Sequence, residues 1–418
     1  MSRPHADYPV LHLRRDRAAS LAFRHPWVFS GALEEPPDRA FHGHLVRVAA
    51  PDGAILGTGT YSSSSSIAVR IFAFEDAAVD AGWLASRIAE ADARRRLLGF
   101  GPGTDTTGYR VVFGESDGLP GFVLDRFGDT FVFQLSTAGT DRMRDDLITD
   151  MQATFSPDAI VERSDLNVRR EERLDEVTAV RHGALPDGDA VPFIERGIQY
   201  LAHPLAGQKT GFFLDQRDLR TLVRQLASRS PLQSGQALNL FSYSGATAIA
   251  ALLGGVAHVH NVDGSETALA HAREHAALHE LGEDRFTAVR ADVFQWLAAH
   301  TEPTYDLVML DPPALIKSQR DVEQGRRAYH FLNRSALRLV RDGGLLVTSS
   351  CSYYFSDDDL AFELRRAAHA VGVSLHTVAA VGQSLDHPQS VYFPEAAYLK
   401  SLVLQVHRHE RGDHTERS

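Results

Sequence analysis

The sequence predicts an α/β protein built from a small β-barrel-like module, a mixed α/β centre and a C-terminal Rossmann-like, doubly wound sheet. Three observations predict it. The 418 residues exceed what one small domain needs and suffice for two or three. Short β-type runs separated by turn residues fill the N-terminal stretch. From residue 197 onward, apolar strands alternate with helical segments, the pattern of parallel βαβ units.

Residues 1–77 contain the runs HLVRVAAPDG, AILGTGTY and SIAVRIFAF, with a turn at Pro51 to Gly53. The low-complexity stretch Ser62 to Ser66 reads as a loop or strand edge, and Asp76 to Gly82 as a junction. Residues 78–196 open with the helical pattern WLASRIAEADARRRLLG, which stops at Gly99 with arginines in its last turn. Strands YRVVFGE, GFVLDRFG and DTFVFQLS follow, with turns at Asp117–Gly118 and Gly128–Asp129. Helix RMRDDLITDMQATF and strand DAIVERSD complete this part. Residues 197–418 carry the strands ALNLFSYSG, HVHNVD, FTAVRAD, YDLVMLDPP and GGLLVTSSCS. The segment from Asp386 to YLKSLVLQVHR reads as strands added at one edge, and the polar tail HERGDHTERS as mobile.

Composition removes several classes. Apolar residues at 44%, charged residues at 23%, and 32 Gly and 18 Pro without a period exclude collagen, coiled-coil and mainly disordered chains. Residues 231–262 lack Asp, Glu, Lys and Arg, but Gln233, Gln236, Asn239, Ser242 and Ser244 interrupt the run, so no membrane span is expected. The start, MSRPHADY, has no apolar signal core, and the single cysteine, Cys351, permits neither an intrachain disulfide nor a cysteine-based zinc cluster. A cytoplasmic protein is expected. His271-Ala272-Arg273-Glu274-His275 fits H-x-x-E-H, but the absence of a further ligand motif and a background of 20 histidines favour an ordinary exposed helix and no metal.

The chemistry-bearing residues lie at strand ends. ALNLF runs into Phe241-Ser242-Tyr243-Ser244-Gly245 and then a helix, a tight turn whose backbone amides can approach a ligand. Asp263, 18 residues beyond Gly245, ends the next strand and can accept both hydroxyls of a ribose. Asp292, after the third strand, can meet an adenine amino group, and Asp311-Pro312-Pro313 ends the fourth at the mouth of the sheet. The dinucleotide fingerprint G-x-G-x-x-G is absent. This order of glycine turn, acidic residue, Asp and Asp-Pro-Pro resembles a class I S-adenosylmethionine-dependent methyltransferase. That resemblance makes S-adenosylmethionine the expected cofactor.

Ala314 follows Asp-Pro-Pro, where amine-methylating relatives place an aromatic. Cys351 lies just past an apolar strand, and a thiol there can attack carbon 6 of a pyrimidine, which turns carbon 5 of cytosine into an enamine able to take a methyl group. Asp311 can hold the ring through its exocyclic amine. Tyr329, Tyr353 or Tyr354 can stack on the unstacked base, or belong to the core.

HPWVFSGAL at His25 to Leu33, KTGFFLDQRDLR at Lys209 to Arg220, DPPAL at Asp311, SSCS at Ser349 and DHP at Asp386 together resemble the bacterial ribosomal RNA large-subunit cytosine-C5 methyltransferases with an N-terminal PUA domain. The resemblance spans nearly the whole chain. It implies a PUA module, a mixed central domain and a catalytic domain, one active cysteine in the SCS motif, and 23S ribosomal RNA as partner. It further implies that Phe213, Asp215, Gln216 and Arg217 border the cofactor or substrate pocket. The net charge of −11 argues against a non-specific nucleic-acid coat. Arg14, Arg15, Arg17 and Arg24 form one basic cluster, and Lys317, Arg320, Arg326, Arg327, Arg334 and Arg338 another; both are candidates for phosphate contact. Methylation of another RNA base or atom, and a non-catalytic RNA-binding assembly factor, are the rival readings on the same fold. Homodimerisation stays open.

Overall fold

A computed structural model of the chain describes residues 4–17, 21–35 and 37–409. The first three residues of MSRPHADY and the tail from 410 lie outside the described residues. The chain divides into two compact units, Met1–Leu214 with Leu385–Ala396, and Asp215–Ser384 with Ala397–Ser418.

The first unit holds two five-stranded sheets. In the N-terminal sheet the strands run in the order Val10–His12, Leu45–Ala49, Ile55–Tyr61, Ile67–Ala73, Trp27–Phe29. Two close approaches explain small residues here: a Cβ on Gly59 would lie 2.2 Å from the Arg70 carbonyl oxygen, and one on Gly139 would lie 2.3 Å from Thr60 Oγ1. Buried Glu172 joins this sheet to the following part of the unit, accepting from Ser62 Oγ at 2.7 Å and Arg70 Nη1 at 2.8 Å. The helix Ala81–Leu97 begins where Asp80 accepts the Trp83 amide at 2.9 Å.

The second sheet of this unit has the order Val177–Gly183, Ala159–Ser164, Thr130–Leu135, Phe122–Phe127, Gly108–Phe113. The helix expected from residue 142 to 155 is two helices, Ala138–Arg142 and Arg144–Phe155, separated at Met143. The hairpin Val191–Glu195/Ile198–Ala202 straddles the expected boundary at residue 197 but packs in the first unit. Phe193 fills space left by Gly108, whose added Cβ would fall 2.0 Å from the ring. Asp386 and His387, read from sequence as opening an edge strand, are buried in a loop of this unit. The Asp386 carboxylate accepts the Arg110 amide at 2.8 Å, which fixes the loop instead of extending a ladder.

The second unit is a seven-stranded sheet. Its strands are β1 (Gln236–Leu240), β2 (His258–Asp263), β3 (Phe286–Arg290), β4 (Tyr305–Leu310), β5 (Val340–Ser350), β6 (Val373–Val381) and β7 (Lys400–Arg408). They lie in the order β3-β2-β1-β4-β5-β7-β6, with β1 to β5 parallel and β7 antiparallel to both neighbours. β7 is therefore interior, and the edge strand is β6. Helix α1 (Arg217–Ala227) precedes β1, and α2 (Ala246–Gly254), α3 (Glu266–Leu278), α4 (Val293–Ala299), α5 (Val322–Leu339) and α6 (Asp357–Val371) connect successive strands from β1 to β6. Apolar strand residues such as Leu238, Leu240, Val308, Leu310 and Leu346 pack with Tyr329, Leu332 and Leu364 in one core. Burying each such Leu or Val is worth about 1.5–3 kcal/mol relative to exposure.

Register sets the position of the site. Leu240 stands opposite both Val262 and Leu310, and Leu310 opposite Thr348. The residues following β1, β2, β4 and β5 consequently emerge on one edge. The order reverses between β1 and β4, where ligands of doubly wound sheets bind.

Candidate active site

The turn after β1 is conformationally unusual. Phe241, Tyr243 and Gly245 have φ of +55°, +46° and +70°. Bulky aromatic residues rarely adopt this region, so the surrounding structure must hold them there. Asp263 supplies part of that hold: Oδ2 accepts the Tyr243 amide at 2.9 Å and Oδ1 accepts the Ser265 amide at 2.8 Å. Below the turn, Asn239 donates to Asn261 Oδ1 at 2.8 Å and Asn261 donates to Ser242 Oγ at 2.7 Å. Gly245 caps α2 without a side-chain hydrogen bond. Its positive φ and the 3.0 Å approach of an added Cβ to the Ala272 Cβ explain the glycine through backbone and helix packing.

His271 and His275, expected on an exposed helix, are buried. The His275 ring Nδ1 hydrogen-bonds the Ser244 carbonyl at 2.8 Å, so α3 braces the same turn. Among the described residues no group of three or more His, Cys, Asp or Glu side chains is arranged to hold a metal ion. No helix among them is long and apolar enough to cross a membrane.

Asp292 is exposed and begins α4, where Oδ1 accepts the Gln295 amide at 2.9 Å. Asp311 and Pro313 are exposed beyond β4. Gln216, just before α1, donates from Nε2 to Asp311 Oδ2 at 2.9 Å, bringing together two residues that are 95 positions apart. Asp215 beside it accepts from the Tyr398 hydroxyl at 2.6 Å. Arg217 is completely buried at the start of α1, which removes it from direct contact with an RNA phosphate at the surface. Lys209 and Phe213 belong to the first unit, with the ammonium 4.4 Å from the ring centroid.

Cys351 follows β5, is partly exposed and forms no disulfide. Its loop is fixed from both sides. The Tyr329 hydroxyl contacts Ser350 Oγ at 2.8 Å and Ser352 Oγ at 3.0 Å, while Ser352 Oγ accepts the Ile316 amide at 3.2 Å. The Asp-Pro-Pro loop and the cysteine loop are thereby tied together. Tyr329 is wholly buried and stacks on Phe355 at 4.3 Å, so it is core and is not a stacking platform for a base; burial also pushes its phenol pKa up. Tyr353 and Tyr354 are exposed.

In the first unit Arg14, Arg15, Arg17 and Arg24 are exposed. The HPWVF motif itself serves packing. Trp27 Nε1 donates to Glu115 at 2.8 Å, and its ring meets Phe393 at 4.8 Å. Of the second basic cluster, Lys317, Arg320 and Arg327 are exposed, whereas Arg326 pairs with Asp359.

Carboxylates and a turn held at positive φ share one edge of a β3-β2-β1-β4-β5-β7-β6 sheet, an arrangement able to cradle a cofactor, and sequence matches identify the class. Residues 164–405 match an S-adenosylmethionine-dependent methyltransferase family model, and residues 11–74 match a PUA-like domain. Across nearly the whole chain it is similar to the ribosomal RNA large subunit methyltransferase I of Shewanella amazonensis, 38% identical over 95% of this chain and 99% of the relative. The protein of that name in Klebsiella pneumoniae is 36% identical over 96% and 98%. The chain belongs to the ribosomal RNA large subunit methyltransferase I family. In fold it resembles a Streptococcus mutans chain described as a SAM-dependent methyltransferase, with a TM-score of 0.79 at 20% identity over 95% of this chain and all of that one. It also resembles a methyltransferase complexed with SAH, with a TM-score of 0.80 at 20% identity over the same shares.

Phe241 to Gly245, Asp263, Asp292 and Asp311 fit the cofactor chemically: carboxylates at the ends of neighbouring strands offer acceptors for hydroxyl and amino groups, and the held turn brings backbone close to a ligand.

Proposed function

We propose that the protein methylates carbon 5 of a cytosine in 23S ribosomal RNA through a covalent bond to Cys351. The observation that carries this reading is the pinned placement of Cys351 after β5, beside the Asp311 strand end and joined to its loop through Ser352 and Ile316. S-adenosylmethionine, when bound, supplies an electrophilic methyl carbon. Phe241, Ser242, Tyr243, Gly245, Asp263, Asp292, Asp311, Pro313 and Gln216 would hold it.

The Cys351 thiolate donates an electron pair to carbon 6 of the base, forming the S–C bond as the C5=C6 π bond opens toward carbon 5. Asp311, oriented by Gln216, holds the exocyclic amine. After carbon 5 has been alkylated, a base takes its proton. The C5–H electron pair then restores C5=C6 as the S–C6 bond breaks, and its electrons return to sulfur. Exposed Lys317 contacts the RNA backbone, as do Arg14 and Arg15 of the PUA-like module. Ala314, in place of an aromatic residue, counts against transfer to an exocyclic nitrogen.

Mass spectrometry of ribosomal RNA nucleosides from a deletion strain tests the proposal. One 5-methylcytidine of 23S RNA is expected to disappear and to return on complementation. Loss of a different methylated nucleoside would replace cytosine C5 as the target.

A further inference from the structure

Lys400 begins β7 and stands directly opposite Ser350 in the β5/β7 ladder. Its ammonium is half-buried and donates to the Ser352 carbonyl at 3.2 Å and the Tyr398 carbonyl at 3.1 Å. It therefore touches the residues on both sides of Cys351, one through strand pairing and the other through a hydrogen bond. Both acceptors are carbonyl oxygens, which favour the protonated ammonium at the cysteine loop, and among the described residues no carboxylate accepts a hydrogen bond from it.

We infer that Lys400 is a positioning residue that stabilises the thiolate of Cys351 and so sets the pH at which the nucleophile becomes active. This rests on the covalent reading of Cys351. The thiol's proton goes to solvent and Lys400 keeps its own. A fixed cation near a thiol favours the charged form of sulfur.

The other charged or titratable groups around the loop include Asp357 and Asp359 from the first turn of α6, Tyr329 and Arg326 from α5, the last paired with Asp359, and Asp311 after the neighbouring β4, whose carboxylate opposes the thiolate while it accepts a hydrogen bond from Gln216. Burial holds the Lys400 pKa below the ordinary lysine value, and the charges of Asp357, Cys351 and Asp359 offset only part of that, so sulfur and ammonium favour each other's charged form. Tyr329 is neutral in the working range because burial raises its phenol.

The chain has one cysteine, so alkylation by iodoacetamide reports Cys351 alone. In the full-length wild type, the alkylation rate plotted against pH should have its midpoint below the ordinary thiol value of about 8.5. Lys400→Gln should raise that midpoint by about one unit and slow alkylation near neutral pH about tenfold, whereas Lys400→Arg should stay near wild type. A wild-type midpoint at or above about 8.5 would overturn the inference even if no variant folds. So would an unchanged midpoint in folded Lys400→Gln. Trapping on RNA carrying 5-fluorocytosine tests the covalent reading separately. If the wild type is trapped through Cys351 but Lys400→Gln leaves the midpoint unmoved, only the role of Lys400 fails. Methylation by Cys351→Ala sinks the covalent reading, whatever the titration shows.

Discussion

In the proposed mechanism Cys351 and Asp263 carry different parts of the chemistry, so their variants should fail differently. The adduct at carbon 6 resolves only when the carbon 5 proton leaves, and 5-fluorocytosine has none to lose. RNA carrying it should become covalently attached to the wild type in the presence of cofactor, seen as a shifted band on a denaturing gel. Cys351→Ala should lose attachment and turnover together while binding S-adenosylmethionine nearly as well, because the thiol serves the base. Cys351→Ser should resemble it, since a hydroxyl supplies almost no anion near neutral pH. Asp263→Ala should do the reverse, weakening cofactor binding by about 1.5–3 kcal/mol, the scale of a lost charge-assisted hydrogen bond. Part of that loss comes from the turn, because the same carboxylate also holds the Tyr243 and Ser265 amides. Unchanged calorimetric affinity in folded Asp263→Ala would take this residue out of the cofactor site.

At the scale of elements, buried titratable groups inside helices give pH dependence with a definite sign. Asp150, in the helix Arg144–Phe155, is buried with no hydrogen-bond partner for Oδ2 among the described residues, and burial followed by the charges of Asp146 and Asp80 pushes its pKa up to about 6. The folded state thus prefers the protonated acid. Its contribution to stability is full below the unfolded value of about 4, and is lost as pH rises through about 6. Asp150→Asn should raise the melting temperature at pH 8 and change it little at pH 4. Equal shifts at both pH values would contradict the assignment. Three strands that sequence foretold share one trait: β1, β4 and β5 are largely buried on both faces, so their segments ALNLF, LVML and LLV read as mainly apolar runs. The strand Val177–Gly183 is largely exposed and offers no such run, and in β6 only Val373 is buried, with Ser374, His376 and Thr377 breaking its apolar pattern. The site divides in the same way. Asp263, Asp311 and Cys351 were legible as candidates because strand ends face a shared mouth, but the places of Asn261 and His275 and the role proposed for Lys400 depend on register and packing across the sheet. A lysine opening the apolar strand KSLVLQV was the one sequence signal for Lys400, and nothing local tied it to Cys351.

On the scale of the molecule, RNA recognition must be tested without dismantling the part that supports it. The N-terminal sheet is bound into its unit by buried Glu172, which accepts from Ser62 and Arg70, while the His42 ring contacts the Glu172 carbonyl at 3.0 Å. Removing residues 1–77 would take away both carboxylate partners of Glu172 and expose the surface that the sheet covers in this unit. Such a truncation would therefore confound folding with binding. Arg14 and Arg15 are exposed, and Arg14 is engaged only partly, through Nε donating to the Leu33 carbonyl at 2.9 Å. Arg14→Glu/Arg15→Glu should leave melting temperature and S-adenosylmethionine affinity close to wild type while weakening 23S RNA binding. If each arginine meets a phosphate, the slope of log affinity against log salt should fall by about 1 to 2. Neutral substitutions to Gln should lie between wild type and the reversed pair. An unchanged affinity and salt slope in the folded double variant would move the electrostatic contact away from the PUA-like module, with Lys317→Gln and Arg320→Gln as the next pair to titrate against salt.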